Sequence, residues 1–328
     1  VIVLHVSAQN MGDSCDLQWS ISNIFDSMTR WCVPMFVMIS GALFLDPNKH
    51  ISYKTIYTKN IVRIIVAFIF WSIIYAIYCH LTFQPLSAFG LISEVMVGHF
   101  HLWFLYMIIG VYITIPIMRE IAANQKLTKY FLLLSFIFAI CLPTFIELID
   151  LIPILHPIGK LFNNIFTTFD FNIAAGFLGY FLLGHYLHTT NFSQKTENIF
   201  IVFGVVSYIL IATLTYLIFD VTSDYNKLFY NYISPFVMFE AIAVFILIRR
   251  LKLHNQKINE SISQLAKLSF GIYLIHMLAL YIIESIGLNA NIVTPIIGIP
   301  IIAIIVFVLS CSTSFILSKI PYINKYIV

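Results

Sequence analysis

The chain has 328 residues, of which 60% are hydrophobic and only 10% are charged, and its mean hydropathy is +0.93. Soluble domains carry roughly 25% charged residues, and a water-soluble fold of this length could not hide so much apolar surface, so we expect a protein of the lipid bilayer. The net charge of +3 and the lack of basic stretches with interleaved aromatic residues exclude a typical nucleic-acid-binding protein.

Apolar stretches of membrane-spanning length follow one another along the whole chain. A transmembrane helix needs about 20 mainly apolar residues. Nine segments approach this length, and the apolar stub at residues 1–10 would be the remains of a first helix. The nine segments are residues 28–46, 61–80, 102–118, 130–150, 171–188, 199–219, 229–248, 268–286 and 292–317. We therefore predict an all-α, polytopic bundle of about ten transmembrane helices, which forms a single domain over residues 1–328.

The basic residues are concentrated in alternate connections between these segments. Cytoplasmic loops are enriched in Lys and Arg. If the N-terminus is cytoplasmic and ten helices cross, inner segments hold 15 of the 18 Lys and Arg residues, and outer segments hold only Arg30, Lys160 and Lys227. A wrong helix count would scramble this partition. The sequence therefore predicts that both termini are cytoplasmic.

The first residue is not methionine, and the opening VIVLHVSAQN lacks the basic region and the small-residue cleavage site of a signal peptide. We expect that the native start lies upstream of Val1. The five cysteines are scattered without CxxC spacing, which indicates small buried apolar side chains rather than a metal site or a disulfide framework.

Ionisable residues inside membrane segments are costly and usually mark function. His5 lies within the first segment, where a neutral imidazole could act as a general base at about pH 7; the alternative is a histidine that packs against a neighbouring helix. Glu240 and His276 also lie within apolar segments. Each is open to two interpretations, a structural partner of another polar group or a residue of a cavity or proton relay.

Two further candidate sites lie near the ends of the predicted helices. Lys59 and Arg63 are one helical turn apart at the cytoplasmic end of the third helix, where they could clamp a phosphate-bearing ligand or snorkel to the interface. On the outer side, His99 and His101 precede Trp103. Their spacing is compatible with a metal, but no third ligand joins them, so we predict no metal site and expect contact with a substrate or an aromatic belt.

Several common catalytic motifs are not found in the sequence. The patterns GxxxxGK[ST], GxGxxG, GxSxG and HExxH do not occur. ATPase, dinucleotide-dependent oxidoreductase, nucleophile-elbow hydrolase and zinc-protease functions are therefore unsupported.

Five stretches occur in a recognisable order along the chain. They are RWCVPMFVMISGALFL, YTKNIVRIIVAFIFWSIIY, HLWFLYMIIGVYITIPIMREI, YFLLGHYL and LSFGIYLIHML. In this order, and with a ten-helix count, the chain resembles the acyltransferase 3 family, bacterial integral-membrane enzymes that O-acylate cell-surface carbohydrates. The resemblance covers nearly the whole chain, and its strength lies in the order of the stretches because none is specific alone.

The resemblance implies roles for particular residues. His5 matches the histidine in the family's first membrane helix that is considered catalytic, and Lys59 and Arg63 match a region thought to meet the acyl-CoA donor. Ser40 and Trp103 match family landmarks whose roles are less clear. The family's arginine, about ten residues before the histidine, would precede Val1. The chain ends eleven residues after the tenth predicted helix and so resembles the members without a C-terminal extracytoplasmic domain.

The expected function is therefore a membrane O-acyltransferase of the bacterial plasma membrane. It would move an acyl group, with acetyl as the first expectation, from cytoplasmic acyl-CoA to a hydroxyl of a cell-surface or lipid-linked carbohydrate. Acyl-CoA would be a co-substrate, and we expect no bound cofactor. Possible cavity or substrate residues are Arg30, Ser40, His101, Trp103, Glu240 and His276.

The alternative is a transporter or glycan exporter without acyl-transfer chemistry. The ten-helix bundle and membrane carboxylates such as Glu240 support this alternative. The order of the motifs and the lack of a clear internal repeat, which many transporters show, count against it. A membrane sensor or scaffold is a third reading, supported only by the lack of a soluble domain.

Overall fold

A computed structural model describes residues 1–12, 14–49, 51–82, 85, 87–169, 176–222, 227–252 and 254–328. Among these residues the regular elements are helices, and no strand is present. The predicted all-α class is confirmed.

Eight helical stretches in the described part of the chain are long and apolar enough to cross a membrane. They are Leu17–Phe44, Tyr53–Thr82, Ala88–Ile113, Gln125–Asp150, Gln194–Thr222, Leu228–Arg250, Gln256–Ile292 and Pro295–Leu317. Each overlaps one of the ten predicted segments, which confirms a polytopic helical bundle. The two remaining segments are shorter helices, Ile2–Gln9 and Gly176–Thr189. Residues 171–175, where the sixth segment was expected to begin, lie outside the described residues, and ten crossings stay a prediction.

The chain divides into two compact units. The first unit comprises Val1–Val6, Ile51–Ile113 and Leu253–Val328, and the second comprises Ser7–His50 and Thr114–Lys252. The division falls within helix Ile2–Gln9. Whether residues 1–328 act as one domain stays a prediction.

In its described residues the first unit contains six α-helices besides the start of Ile2–Gln9 and a single helical turn at Tyr53–Thr55. They are Val62–Thr82, Ala88–Val97, Trp103–Ile113, Gln256–Ser285, Pro295–Leu317 and Ile323–Tyr326. A π-helical segment, Ile56–Ile61, leads into the first of them, and short 3₁₀ turns lie at Phe100–Leu102 and Ala290–Ile292.

The second unit contains nine α-helices in its described residues. They are Leu17–Ser27, Cys32–Phe44, Ile115–Ala123, Gln125–Leu134, Leu142–Asp150, His156–Phe169, Gly176–Thr189, Gln194–Thr222 and Pro235–Arg250. A π-helical segment, Ser135–Cys141, joins two of them, and 3₁₀ turns lie at Pro153–Leu155 and Leu228–Tyr230.

A buried tyrosine connects two helices of the first unit. The Tyr75 hydroxyl donates to the carbonyl of Leu274 at 2.8 Å and accepts from the backbone N–H of Leu278 at 3.1 Å. Tyr75 is only 1% exposed, and both of its hydrogen-bonding roles are used. Because an unpaired hydroxyl is expensive to bury, this arrangement fixes helix Val62–Thr82 against helix Gln256–Ser285.

Glycines allow two helices of the second unit to approach closely. A Cβ atom on Gly41 would lie 1.7 Å from the carbonyl oxygen of Phe181, and one on Gly184 would lie 1.9 Å from that of Met38. Small residues let helix backbones meet in a bilayer, where packing rather than the hydrophobic effect drives association. The pairing of Cys32–Phe44 with Gly176–Thr189 therefore depends on these two glycines.

The beginning of the second unit differs from the sequence prediction. The expected segment was 28–46 after an outer loop, but a helix already begins at Leu17. The Asp16 side chain caps this helix by accepting from the Trp19 N–H at 2.7 Å. Asn23 and Asp26 are buried on its inner face, and Asn23 donates to the carbonyl of Ala212 at 2.8 Å. Buried polar side chains lower the local hydropathy, which is why the apolar pattern misses this helix.

Two other predicted outer connections are also partly helical. The connection at 81–101 contains helix Ala88–Val97, and the connection at 151–170 contains helix His156–Phe169. Both helices are too short to cross a bilayer alone. They add helical structure between the predicted segments.

Candidate active site

Three histidines that the sequence marks as candidates come together in the first unit. The ring centroids of His5 and His276 are 5.2 Å apart, and those of His101 and His276 are also 5.2 Å apart. His99 joins them, since its Nδ1 lies 2.8 Å from the Nδ1 of His101. We call these four residues the histidine cluster. His101 and His276 are 3% and 1% exposed, whereas His5 is half-buried.

A glycine turn places two members of the histidine cluster. Gly98 ends helix Ala88–Val97 with a φ of +79°, a conformation that favours glycine. A Cβ atom on Gly98 would also lie 2.5 Å from the ring of Phe68. The turn leads directly into the 3₁₀ segment Phe100–Leu102, so that His99 and His101 are held by short backbone elements rather than by a long loop.

The hydrogen bond of His276 defines the chemical form of its ring. Its Nδ1 lies 2.5 Å from the carbonyl oxygen of Tyr273. A carbonyl can only accept, so Nδ1 carries a proton, and in the neutral ring Nε2 keeps its lone pair. This Nε2 is buried and has no hydrogen-bond partner among the residues that the structure describes. A buried acceptor without a partner is costly, which makes it a candidate for contact with a substrate or a proton.

Aromatic side chains surround the histidine cluster. Tyr75 stacks on His99 with ring centroids 4.5 Å apart, and the Tyr281 hydroxyl lies 3.2 Å from His99 Nε2. The Tyr273 hydroxyl donates to the carbonyl of His101 at 2.5 Å. The sequence did not identify these tyrosines, because an aromatic residue in an apolar run is equally typical of a lipid-facing position. The spacing of Tyr273 and His276, three residues apart on one helix face, was the available signal.

The four imidazoles do not form an evident metal centre. In the described part of the chain, no group of three or more His, Cys, Asp or Glu side chains has an arrangement that could hold a metal ion. The Nδ1 atoms of His99 and His101 instead face each other at hydrogen-bond distance. One of these two rings therefore donates a hydrogen bond to the other.

A second polar cluster lies in the second unit. Arg30 contacts the fully buried Asp26 at 2.5 Å, and its guanidinium lies 3.9 Å from the ring centroid of Tyr230. The Tyr230 hydroxyl donates to the side chain of Asn23. Glu240 is 5% exposed, and its carboxylate accepts from the backbone of Trp31, which follows Arg30 in the chain. Arg30 thus belongs to a buried polar group, and Glu240 is bonded to the backbone of the next residue in the chain.

Comparison with known proteins assigns the chain to a family. Residues 1–318 match the model of the acyltransferase 3 family, which is described as an acyltransferase domain. The chain belongs to the acyltransferase 3 family. No curated protein and no solved structure gives a significant match.

Membership in the acyltransferase 3 family decides between the classes that the sequence left open. It makes the protein an acyltransferase that moves groups other than aminoacyl groups, and the apolar helices make it a multi-pass membrane protein. The predicted family is confirmed. The match does not support the alternative, a transporter or glycan exporter without acyl-transfer chemistry.

The two basic residues assigned to the donor side differ in their surroundings. Arg63 is half-buried, its Nη2 lies 2.5 Å from the main-chain oxygen of Val328, and its guanidinium lies 5.3 Å from the ring centroid of Phe270. Lys59 is exposed in the π-helical segment Ile56–Ile61. Of this pair, Lys59 offers the more accessible charge, and acyl-CoA binding by either residue stays a prediction.

The two other landmarks of the acyltransferase 3 family lie in different units. Trp103 begins helix Trp103–Ile113 in the first unit, two residues after His101, and is 37% exposed. Ser40 lies in the second unit beside Gly41, at the close crossing of helices Cys32–Phe44 and Gly176–Thr189. Trp103 is thus close in sequence to the histidine cluster, whereas Ser40 is the chain neighbour of a glycine at a close helix contact.

Proposed function

We propose that this enzyme transfers an acyl group, acetyl in the first instance, from cytoplasmic acyl-CoA to a hydroxyl of a cell-surface or lipid-linked carbohydrate in the bacterial plasma membrane. The observation that carries the proposal is the position of His5. Its ring, on helix Ile2–Gln9, lies 5.2 Å from the ring of His276 between centroids in a chain of the acyltransferase 3 family.

His5 acts as the general base in this proposal. It takes the proton of the acceptor hydroxyl while the hydroxyl oxygen attacks the thioester carbonyl of acyl-CoA. The tetrahedral intermediate then collapses, the carbon–sulfur bond breaks, and the imidazolium returns the proton to the CoA sulfur. Atoms and charge balance without a metal or a redox partner. A positioned base of this kind contributes about 10²–10⁴-fold to the rate.

The surroundings of His5 favour this residue, rather than His101 or His276, as the base. His101 and His276 are almost completely buried, whereas His5 is half-buried and so can be reached by a substrate. The rings of Phe100 and His276 lie 5.6 Å and 5.2 Å from its ring. Such contacts restrict the orientation of a base before the substrate arrives, which is what a productive site requires.

Charge supports the donor side of the proposal. Lys59 is exposed at the end of its helix that the distribution of basic residues predicts to be cytoplasmic, where acyl-CoA is available. A lysine ammonium binds phosphate as a point charge. Arg63, one turn further along, would support the same anion only if it exchanged its contact with Val328.

Incubation of the purified full-length protein with acetyl-CoA, labelled in the acetyl group, and surface glycan tests the proposal. We expect label in the glycan as an alkali-labile ester and one equivalent of free CoA thiol per ester. Thiol release without label in the carbohydrate would contradict the proposal that a carbohydrate is the acceptor. Glycan acylation that does not consume acyl-CoA would contradict the proposal that acyl-CoA is the donor.

A further inference from the structure

The second unit contains a pocket that the proposed chemistry does not use. Its volume is about 540 Å³, which lies within the usual range of small-molecule sites, about 300–1,000 Å³. The polar side chains in its lining are Arg30, Glu147, Asp150, Lys227, Tyr230, Asn231 and Tyr232.

The basic residues of this pocket are unusual for their side of the membrane. The charge partition predicts that only Arg30, Lys160 and Lys227 lie on the outer side. Arg30 and Lys227, two of these three, line the pocket. Because the positive-inside rule governs all the other basic residues, this pairing indicates a local requirement for cations at the outer ends of these helices.

Part of the lining is built into the fold. The Arg30 side chain is only 11% exposed and is held by Asp26 at 2.5 Å, by the carbonyl of Tyr230 at 3.4 Å and by the ring of the same tyrosine. Asp150 contacts the Nδ1 of His156 at 2.7 Å. These contacts orient the groups before a ligand arrives, which lowers the entropic cost of binding.

The charges of the lining select a class of ligand. Groups of both signs line this pocket: the cations Arg30 and Lys227 and the carboxylates Glu147 and Asp150, with Arg30 already paired to Asp26 outside the lining. An anion would meet the carboxylates and a cation would meet the basic groups. A sugar hydroxyl both donates and accepts, so a polyhydroxylated ring can satisfy both kinds of group, and Tyr232 adds an aromatic surface.

We propose that this pocket binds an uncharged saccharide unit at the predicted outer face of the protein. The assignment rests on the proposed function, in which the acceptor is a glycan.

The test measures binding in the absence of acyl-CoA. Glycan released from the surface of the producing cells is titrated into the purified full-length protein, and the Kd is measured for the wild type and for three single variants. We expect Lys227→Gln and Glu147→Gln to weaken binding about tenfold, because each removes a charge-assisted hydrogen bond. Lys160→Gln is the matched control, since it removes an exposed, outer-side lysine that does not line the pocket, and its Kd should equal that of the wild type.

The ionic strength separates an uncharged ligand from an anionic one. Binding of an uncharged saccharide should be nearly independent of salt, whereas screening would weaken the binding of an anion. Equal Kd values in all four proteins, no binding of the glycan, or a steep loss of affinity with salt would overturn the inference.

The same preparations distinguish this inference from the proposed function. If the glycan binds and the pocket variants weaken its binding, the pocket assignment holds even when no acyl group is transferred. If the glycan is acylated while the pocket variants leave both its Kd and its KM unchanged, the proposed function holds and the pocket assignment fails.

Discussion

At the scale of single residues, two of the buried polar atoms belong to candidate site residues. His276 Nε2 in the first unit and Glu240 Oε2 in the second are buried without hydrogen-bond partners among the described residues. Hydrocarbon and packed protein both penalise such groups. Such atoms can be kept in a fold when a substrate, a proton or a neighbouring imidazole supplies the missing partner.

The His276→Asn variant tests this reading in the histidine cluster. The asparagine Nδ2 can keep the hydrogen bond to the Tyr273 carbonyl, but the lone pair of Nε2 is lost. We expect normal expression and thermal stability, with acyl transfer reduced by about 10²-fold. His188→Asn, at an exposed histidine of the second unit, should leave the rate unchanged. Wild-type activity in His276→Asn would assign His276 to packing alone.

We expect the Arg30–Asp26 pair to contribute to the thermal stability of the protein. Asp26 is fully buried, so Arg30→Gln leaves an uncompensated charge, and breaking a buried pair costs about 3–5 kcal/mol. We expect a large fall in the unfolding temperature of the detergent-solubilised protein. The double variant Asp26→Asn/Arg30→Gln should recover most of the loss, because the buried charge is gone. Equal stability of the single and double variants would show that the pair carries no such energy.

At the scale of elements, glycine contacts rather than apolar matching set the pairing of helices Cys32–Phe44 and Gly176–Thr189. A side chain at Gly41 or Gly184 would collide with main-chain oxygens, not with flexible side-chain ends. The backbones must therefore separate if either position gains a methyl group, and neighbouring contacts are lost along both helices.

Gly184→Ala tests the helix crossing, with Gly110→Ala as its control. The first change should cost ~1–3 kcal/mol through overpacking. The second adds the same methyl group at a helical position with nothing within 4 Å and should be neutral or slightly stabilising. Thermal unfolding of both variants in one detergent gives the comparison. Equal unfolding temperatures would contradict close backbone contact at Gly184.

The sequence predicts apolar elements better than polar ones. Long spans such as Pro295–Leu317 follow directly from hydropathy, and the family follows from the order of the motifs. Helix Leu17–Ser27 was missed because its buried face carries Asn23 and Asp26. The meeting of His5, His101 and His276 could not be read from spacing, because tertiary packing brings together residues that are up to 271 positions apart.

At the scale of the whole molecule, the short helix Gly176–Thr189 decides the topology. It has 14 residues in the described part of the chain, about 21 Å at 1.5 Å per residue, which is less than the roughly 30 Å of hydrocarbon. The distribution of basic residues nevertheless requires a crossing between Lys160 and Lys195. If this segment does not cross, every later connection changes side.

Thiol labelling tests the crossing in intact cells. In a variant without native cysteines, Lys160→Cys and Lys195→Cys place single thiols at exposed positions on either side of the helix. We expect a membrane-impermeant reagent to label Lys160→Cys in intact cells and Lys195→Cys only after permeabilisation. Labelling of both from outside would place the two positions on one side and reject the ten-helix topology.

The central claim is that His5 is the base of a membrane acyltransferase, and the rate of acyl transfer by His5→Ala tests it most directly. The variant is compared with the wild type and with His188→Ala at equal protein concentration, with labelled acetyl-CoA and surface glycan as substrates. We predict a loss of 10²–10⁴-fold in His5→Ala, with unchanged thermal stability and acetyl-CoA binding, and no loss in His188→Ala. A wild-type rate in His5→Ala would contradict the account.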